Sequence, residues 1–364
     1  WLDFAEAHGM EYLCLTTKHI DGFCMWDTSQ TDYKISNTPY GKDVLAMLSE
    51  ACRRRGFPLN LYYSTIDNDH PAYPHRGGDY EKPQPEPGDT PSMDRYLEFV
   101  RAQVEELCTN YGEIGGFWWD CDARRRLGVE DESFNRMIRR LQPKAVINNR
   151  GFSDGDFDTP ERDWRHDATA APGPFETPVE ACQSIGIESW GYRVNEDYYT
   201  PRHLEASMAR IFARGGNYLL NVGPRADGTL PKEASDVLDP VAAWLDRVGE
   251  CFRNTEYLTT NLTRDGMLVT REIEVLGTDR TVYVMLPGAV EGNRVLPAPI
   301  TTPPRRAVLL NTGEEVSWSV ERIPSTWREE QAYLRLRDLP IGEMALEVPV
   351  LKLDFDEDPW SNTA

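Results

Sequence analysis

The stretch Gly115-Gly116-Phe117-Trp118-Trp119-Asp120 constrains this chain more than any other. Two glycines lead into three aromatics of high strand preference, and an acid stands where the apolar run stops. The segment therefore reads as a short buried strand. Parallel α/β folds, and (β/α)₈ barrels in particular, carry catalytic groups at the carboxyl ends of such strands. Asp120 has a second reading, because Asp120-Cys121-Asp122-Ala123 leads toward a helical stretch that an Asp can cap. The flanking chain has to decide between them.

On both sides of that strand, apolar runs of strand length alternate with helical periodicity, the pattern of parallel βαβ units. Residues 1–9 read as helix and Glu11-Tyr12-Leu13-Cys14-Leu15-Thr16-Thr17 as strand. A helix over 42–55 precedes the strand Leu59-Asn60-Leu61-Tyr62-Tyr63-Ser64. The stretch 65–91, rich in Pro, Gly, Asp and His, has the length of a lid or binding loop. An amphipathic helix follows over 92–111, with Ser92 as N-cap and Leu97, Val100, Val104 and Leu107 at helical spacing. After the opening strand come a helix over 131–141 and the strand Ala145-Val146-Ile147-Asn148-Asn149-Arg150. Ile187 to Tyr192 reads as a further strand end, and a helix over 201–214, a strand over 217–222 and a helix over 232–249 close the pattern.

About six convincing strands are legible where a barrel needs eight. The reading is therefore a (β/α)₈ barrel over 1–254, incomplete at its N-terminus, with one irregular strand inside 151–186. From about Glu256, alternating Val, Leu and Tyr with turn residues between predicts an antiparallel β-sandwich over 255–364. Its expected strands lie at 267–276, 281–286, 306–310, 316–320, 332–336 and 345–350. Trp1-Leu2-Asp3-Phe4 reads as the middle of a helix, so the first barrel strands are expected to precede Trp1.

Composition narrows the function. Lys+Arg 39 against Asp+Glu 60 gives a net charge of −21, which repels nucleic-acid backbones and anionic membranes. No apolar run reaches membrane-spanning length. The 7 cysteines are scattered and odd in number, so no disulfide framework or zinc-ligand spacing emerges. Asn261-Leu262-Thr263 is a glycosylation sequon. His19, His70, His75 and His166 lack HExxH or paired spacing, so neither a metal nor another cofactor is expected.

Polar residues collect where the strands end: His19 and Asp21, Tyr63 and Asp67, Asp120, Asn149 and Arg150, Glu176, Trp190 and Asn221. In a barrel these ends share one face. Carboxylates among aromatics there suit glycoside hydrolysis, in which one carboxylate attacks and another protonates the leaving oxygen. Asp120 suits the attack from a rigid strand end. Glu161, or alternatively Glu176, suits the acid from a more flexible segment.

These residues also carry a family resemblance. Lys18-His19-Ile20-Asp21-Gly22-Phe23-Cys24-Met25-Trp26 resembles the "KHHDGF-x-x-W" segment of glycoside hydrolase family 29, the α-L-fucosidases. Phe117-Trp118-Trp119-Asp120 is similar to that family's nucleophile strand and Asn148-Asn149-Arg150 to its "NDR". Thr159-Pro160-Glu161 is similar to its "TPE" acid/base, and Phe175-Glu176 with Ser189-Trp190-Gly191-Tyr192 to "WE…SWGY". Residues 215–228 resemble "GGNxLLNxGPxxDG". The motifs run in the family's order.

The resemblance implies retaining double displacement on terminal α-L-fucosyl residues, with Asp120 as nucleophile and Glu161 as acid/base (Glu176 the alternative). It implies His19, Tyr63, Trp118, Arg150, Glu176 and Trp190 around the sugar. It also implies a fucosylated glycan as partner and a secreted, periplasmic or lysosome-like location. A homo-oligomer is compatible with it. One departure opens alternatives: Ile20 stands where the family has a second His. A lost hydrogen bond to a sugar hydroxyl costs about 1–3 kcal/mol, which motivates a galactoside-type substrate. The absent first strands motivate a catalytically silent sugar-binding protein.

Overall fold

Short apolar runs become strands and the amphipathic stretches between them become helices, as period and propensity dictate. The computed structural model describes residues 1–74, 87–162, 173–258, 273–288, 292–297, 300–322 and 332–359. These residues form two compact units, Trp1–Thr159 and Pro160–Ala364.

In the first unit, α1 (Leu2–Ala7) leads to β1 (Leu13–Lys18), α2 (Val44–Arg55), β2 (Leu59–Ser64), α3 (Met93–Asn110), β3 (Gly116–Asp120), α4 (Ala123–Arg126), α5 (Ser133–Leu141) and β4 (Val146–Ile147). The four strands form one parallel sheet in chain order, so each crossover places the next strand beside the last. Local chemistry sets the helix ends. Asp43 caps α2 by accepting from the Ala46 N–H at 2.8 Å, and Gly56 ends it in the left-handed conformation at φ 66°. The pair Gly115-Gly116 meets close neighbours: a Cβ on Gly116 would stand 3.1 Å from the Val146 carbonyl, and one on Gly115 only 2.7 Å from Asn60 Oδ1. The glycines therefore let β3 settle between β2 and β4. Leu45, Leu61, Val100, Val104, Phe117, Trp119, Phe134 and Ile147 are buried together around this sheet.

A buried ion pair ties the loop after β2 to the end of β1, and a carboxylate hub ties down the loop after β1. Lys18 Nζ meets Asp67 Oδ2 at 2.9 Å, with both side chains at most 3% exposed. Glu106 on α3 collects the loop at 26–30. Its Oε2 accepts from Trp26 Nε1 (3.1 Å) and Thr28 Oγ1 (2.6 Å), and its Oε1 from the Ser29 N–H (3.0 Å) and Gln30 Nε2 (3.0 Å).

The second unit opens with β5 (Glu180–Ser184), α6 (Pro201–Ala213), β6 (Asn217–Asn221) and α7 (Lys232–Val248); β5 and β6 pair in parallel. Thr200 caps α6, with Pro at its first position. β5 is the irregular strand expected inside 151–186. Its five residues, Glu-Ala-Cys-Gln-Ser, are all buried, which hides a strand inside a polar-looking sequence. The residues from Ile187 to Tyr192 are not a strand end but the loop that follows β5.

Then β7 (Glu256–Tyr257), β8 (Glu274–Gly277), β9 (Thr281–Met285), β10 (Arg306–Leu309), β11 (Glu314–Glu315), β12 (Ser317–Glu321), β13 (Tyr333–Arg337), α8 (Ile341–Met344) and β14 (Val350–Asp354) follow. Six of them make an antiparallel sheet in the order β11-β10-β14-β9-β8-β7, and β12 pairs β13. Val282, Val284, Leu309 and Leu351 of the larger sheet share a buried cluster with Leu334 and Leu336 of β13. The last strand does not lie at 345–350 as expected. α8 and a turn occupy its approach, and the apolar alternation that pairs with β9 begins at Val350. Most of the expected strand at 267–276, the sequon at Asn261, and His75 and His166 lie outside the described residues. Among the described residues, no helix is long and apolar enough to cross a membrane.

Candidate active site

Asp120 ends β3 opposite Ser64 of β2. Its side chain keeps 19% exposure and both its oxygens are engaged. Tyr62 donates its hydroxyl to Oδ2 at 2.5 Å, and Arg150 Nη1 donates to Oδ1 at 3.2 Å. The helix-cap reading falls to a different residue: Asp122, not Asp120, accepts from the Arg125 N–H to start α4. Cys121 and Asp122 both hold positive φ, 70° and 37°, so the chain turns away sharply once Asp120 is passed. Asp120 is left at the strand tip with two donors.

Arg150 is placed by side chains that stand in for backbone. β4 is only Val146–Ile147 long, but Asn148 extends its pairing with β3: its Oδ1 accepts from the Trp119 N–H and its Nδ2 donates to the Trp119 carbonyl, both at 2.8 Å. Two residues on, Arg150 donates from Nε to Thr159 Oγ1 (2.7 Å) and from Nη2 to the Thr159 carbonyl (2.6 Å). That leaves Nη1 turned to Asp120. Asn149 supports the same strand end by donating to Asp158 Oδ1 at 2.6 Å.

A row of rings lies beside these groups. His19 stacks on Tyr62 with centroids 5.8 Å apart, Tyr62 on Trp118 at 5.5 Å, and the Arg150 guanidinium sits 5.0 Å from the Trp118 ring. His19 is exposed, whereas Trp118 is only 4% exposed, so little of its ring remains for the sugar contact expected of it. Burial, reinforced by the Asp120 charge, raises the Tyr62 phenol well above its usual pKa, so it stays a donor. Burial and the same charge push the neighbouring Cys121 thiol up to about 12, which keeps it a neutral thiol beside the carboxylate.

Tyr63, expected to contact substrate, does not face the site. It is fully buried, donates its hydroxyl to Gln103 Oε1 at 2.7 Å, and packs under the Lys18 ammonium at 4.5 Å. Successive strand residues point to opposite faces, so the tyrosine beside Asp120 is Tyr62. Trp118 and Asp120 share a face of β3, and the parallel register of the sheet sets Tyr62 opposite Trp118. Ile20 packs its side chain against the core of the first unit. His70 packs against Phe99 with ring centroids 4.0 Å apart and planes tilted by 32°, and burial lowers its pKa. Among the described residues, no three His, Cys, Asp or Glu side chains converge as a metal site.

In the second unit, Glu161 is exposed but its backbone is fixed. It bridges Cys182 of β5 in parallel, with the Cys182 N–H donating to the Pro160 carbonyl (3.0 Å) and the Arg162 N–H to the Cys182 carbonyl (2.9 Å). The expected flexible segment is thus an added rung on the edge of β5. Arg162 stacks over Trp190 at 4.4 Å, and Asn221 Nδ2 at the end of β6 donates to the Trp190 carbonyl. Ser184, Gly186, Trp190, Tyr192, Glu196 and Tyr198 line a small cavity here. Glu176 is exposed in the bend before β5.

Against known proteins, the family pattern described as Alpha-L-fucosidase matches residues 1–250. The chain is 26% identical over 351 residues to an α-L-fucosidase of Dictyostelium discoideum, covering 88% of this chain and 70% of that one. Its fold superposes on α-L-fucosidase isoenzyme 1 from Paenibacillus thiaminolyticus with a TM-score of 0.76 at 29% identity, across 98% of this chain and 86% of that one. An α-L-fucosidase of family 29 from Bacteroides thetaiotaomicron superposes at 0.72 with 25% identity, across 97% and 80%. A match over 250 of 364 residues leaves one conclusion: this chain belongs to the α-L-fucosidase family.

Proposed function

We propose that the chain is a retaining exo-glycosidase that hydrolyses terminal α-L-fucosyl residues of oligosaccharides or glycoconjugates. The observation that carries this reading is Asp120, a partly exposed carboxylate at a strand end, with Tyr62 donating to one oxygen and Arg150 to the other. Such a carboxylate is oriented before substrate arrives, and orientation is a large part of what an attacking group requires. An Asp120 oxygen bonds to the anomeric carbon as the bond to the leaving oxygen breaks, and Glu161 gives that oxygen its proton. Glu161 then takes a proton from water, whose oxygen displaces Asp120 from the same carbon. His19, Arg150 and Trp190 serve the sugar in this reading, with Tyr62 in the role first expected of Tyr63. Glu176 is the alternative acid.

The same reading includes a (β/α)₈ barrel over 1–254 and a β-sandwich over 255–364. The consecutive parallel strands β1 to β4 and the parallel pair β5 and β6 support the barrel. The buried cluster shared by two antiparallel sheets supports the sandwich. A galactoside substrate and a silent sugar-binding role have no comparable support, since the relatives named above are α-L-fucosidases.

Proton NMR of the sugar first released from an aryl α-L-fucoside tests the proposal. The expected product is the α-anomer, and Asp120→Ala is expected to lower kcat by about 10⁴-fold or more. A β-anomer first product, or an Asp120→Ala protein of undiminished activity, would sink it. Azide rescue compared between Glu161→Ala and Glu176→Ala assigns the acid.

A further inference from the structure

Arg162 stands out in the second unit because it is a non-glycine residue at φ 38° whose polar contacts, among the described residues, run to β5 and the loop after it. A left-handed backbone costs an L-residue roughly 1–2 kcal/mol and persists where the surroundings over-determine it. Here they do. The Arg162 N–H donates to the Cys182 carbonyl at 2.9 Å. Its Nη1 donates to two successive carbonyls of the loop after β5, Gly186 (3.2 Å) and Ile187 (2.6 Å), and its guanidinium lies 4.4 Å from the Trp190 ring. The far side of that loop is held as well. Glu196 Oε1 accepts from the Glu188 N–H at 2.8 Å, and Arg193 pairs with both Glu188 and Glu196. One side chain therefore joins the rung that carries Glu161 to a loop braced at its other end.

We infer that Arg162 is a positioning residue for proton transfer: by clamping the 186–187 carbonyls and stacking on Trp190, it fixes the backbone from which Glu161 reaches the leaving oxygen. The inference rests on reading Glu161 as the acid/base. An exposed carboxylate on a long side chain loses proton-transfer efficiency when its backbone is free to shift, because general acid catalysis demands hydrogen-bond reach in the transition state. Arginine suits the task where lysine would not, since a planar guanidinium can lie over an aromatic ring while one of its nitrogens reaches two carbonyls.

The test uses leaving groups of graded need for a proton. Arg162→Met removes the donors at similar length. Arg162→Gly also removes the side chain but accepts the positive φ, so it separates side-chain tethering from backbone strain and covers the case in which the methionine variant does not fold. Both are assayed on dinitrophenyl, nitrophenyl and phenyl α-L-fucosides and on a fucosylated disaccharide, beside Glu161→Ala. Expected is a loss of about 10- to 100-fold on the phenyl fucoside and the disaccharide, part of the 10²–10⁴ that general acid catalysis supplies, with the dinitrophenyl fucoside within about twofold. An equal loss on every leaving group, or none, overturns the positioning role while Glu161→Ala still shows the graded loss. A flat response of Glu161→Ala overturns the inference together with the acid/base reading beneath it.

Discussion

Adjacent tyrosines on β2 allow one substitution to be set against its neighbour. Tyr62→Phe deletes the hydroxyl that donates to Asp120 Oδ2 at 2.5 Å and leaves the ring stacked between His19 and Trp118. A hydrogen bond to a charged group is worth about 1.5–3 kcal/mol, so kcat/KM on a nitrophenyl α-L-fucoside should fall by roughly 10- to 150-fold. The melting temperature should barely move, because the carboxylate keeps Arg150 and 19% exposure. Tyr63→Phe should do the reverse. It takes the donor from Gln103 Oε1, a fully buried group, and an unsatisfied buried acceptor costs about 1–3 kcal/mol. Thermal unfolding should come several degrees earlier, with activity per folded molecule unchanged. Steady-state kinetics and thermal melts on both variants decide the matter. If Tyr63→Phe lost the activity and Tyr62→Phe lost the stability, the argument from strand alternation would be refuted.

Three further outcomes follow from groups outside the site. Glu205 on α6 is 1% exposed and accepts from the Val348 N–H at 2.8 Å, and burial pushes its carboxyl up from 4.5 to about 7. The folded protein therefore holds a proton that the unfolded chain has released. Stability from this group is whole below pH 4.5 and declines as pH rises through 7, by about 3 kcal/mol in all. Urea unfolding across that range should show the slope, and Glu205→Gln should flatten it; an unchanged slope would count against the burial argument. Lys18→Met leaves Asp67 charged and buried without its partner, so a loss of about 3–5 kcal/mol is expected in denaturant unfolding, and a loss under about 1 kcal/mol would contradict it. Gly22→Ala meets two obstacles, φ 84° and an Asp67 oxygen 2.4 Å from the new Cβ. It should destabilise by at least the roughly 1–2 kcal/mol of the backbone term, and a neutral melt would refute that.

Much of the α/β portion was legible because its signals are local. Ser92 does cap α3, and the apolar spacing of Val100, Val104 and Leu107 does face the core. The β3 segment was legible for the same reason, with its glycines, aromatics and terminal acid all in place. What escaped depends on partners distant in sequence. β5 reads as polar because Glu180, Gln183 and Ser184 are buried where a sequence expects them in water. The choice of Tyr62 over Tyr63 turns on which face of β2 looks toward Asp120, and adjacent identical residues carry no mark of it. Asn148 looked like one polar residue in a strand-end series, whereas its amide lengthens a two-residue strand and so sets Arg150. Asp122 took the capping role that had been the second reading of Asp120.

The Glu106 hub has a consequence for how the molecule opens. The Ser29 amide proton is held by a side chain 77 positions away on α3, not by its own neighbours, so its exchange with solvent deuterium requires that α3 withdraw. An exposed turn would ordinarily exchange at once. This one should instead lag, its deuterium uptake tracking that of α3 as urea is raised. Glu106→Gln, which halves the acceptor capacity of the group, should let the loop exchange early while α3 stays protected. A surface loop thereby becomes a clock for the docking of a helix that covers the core.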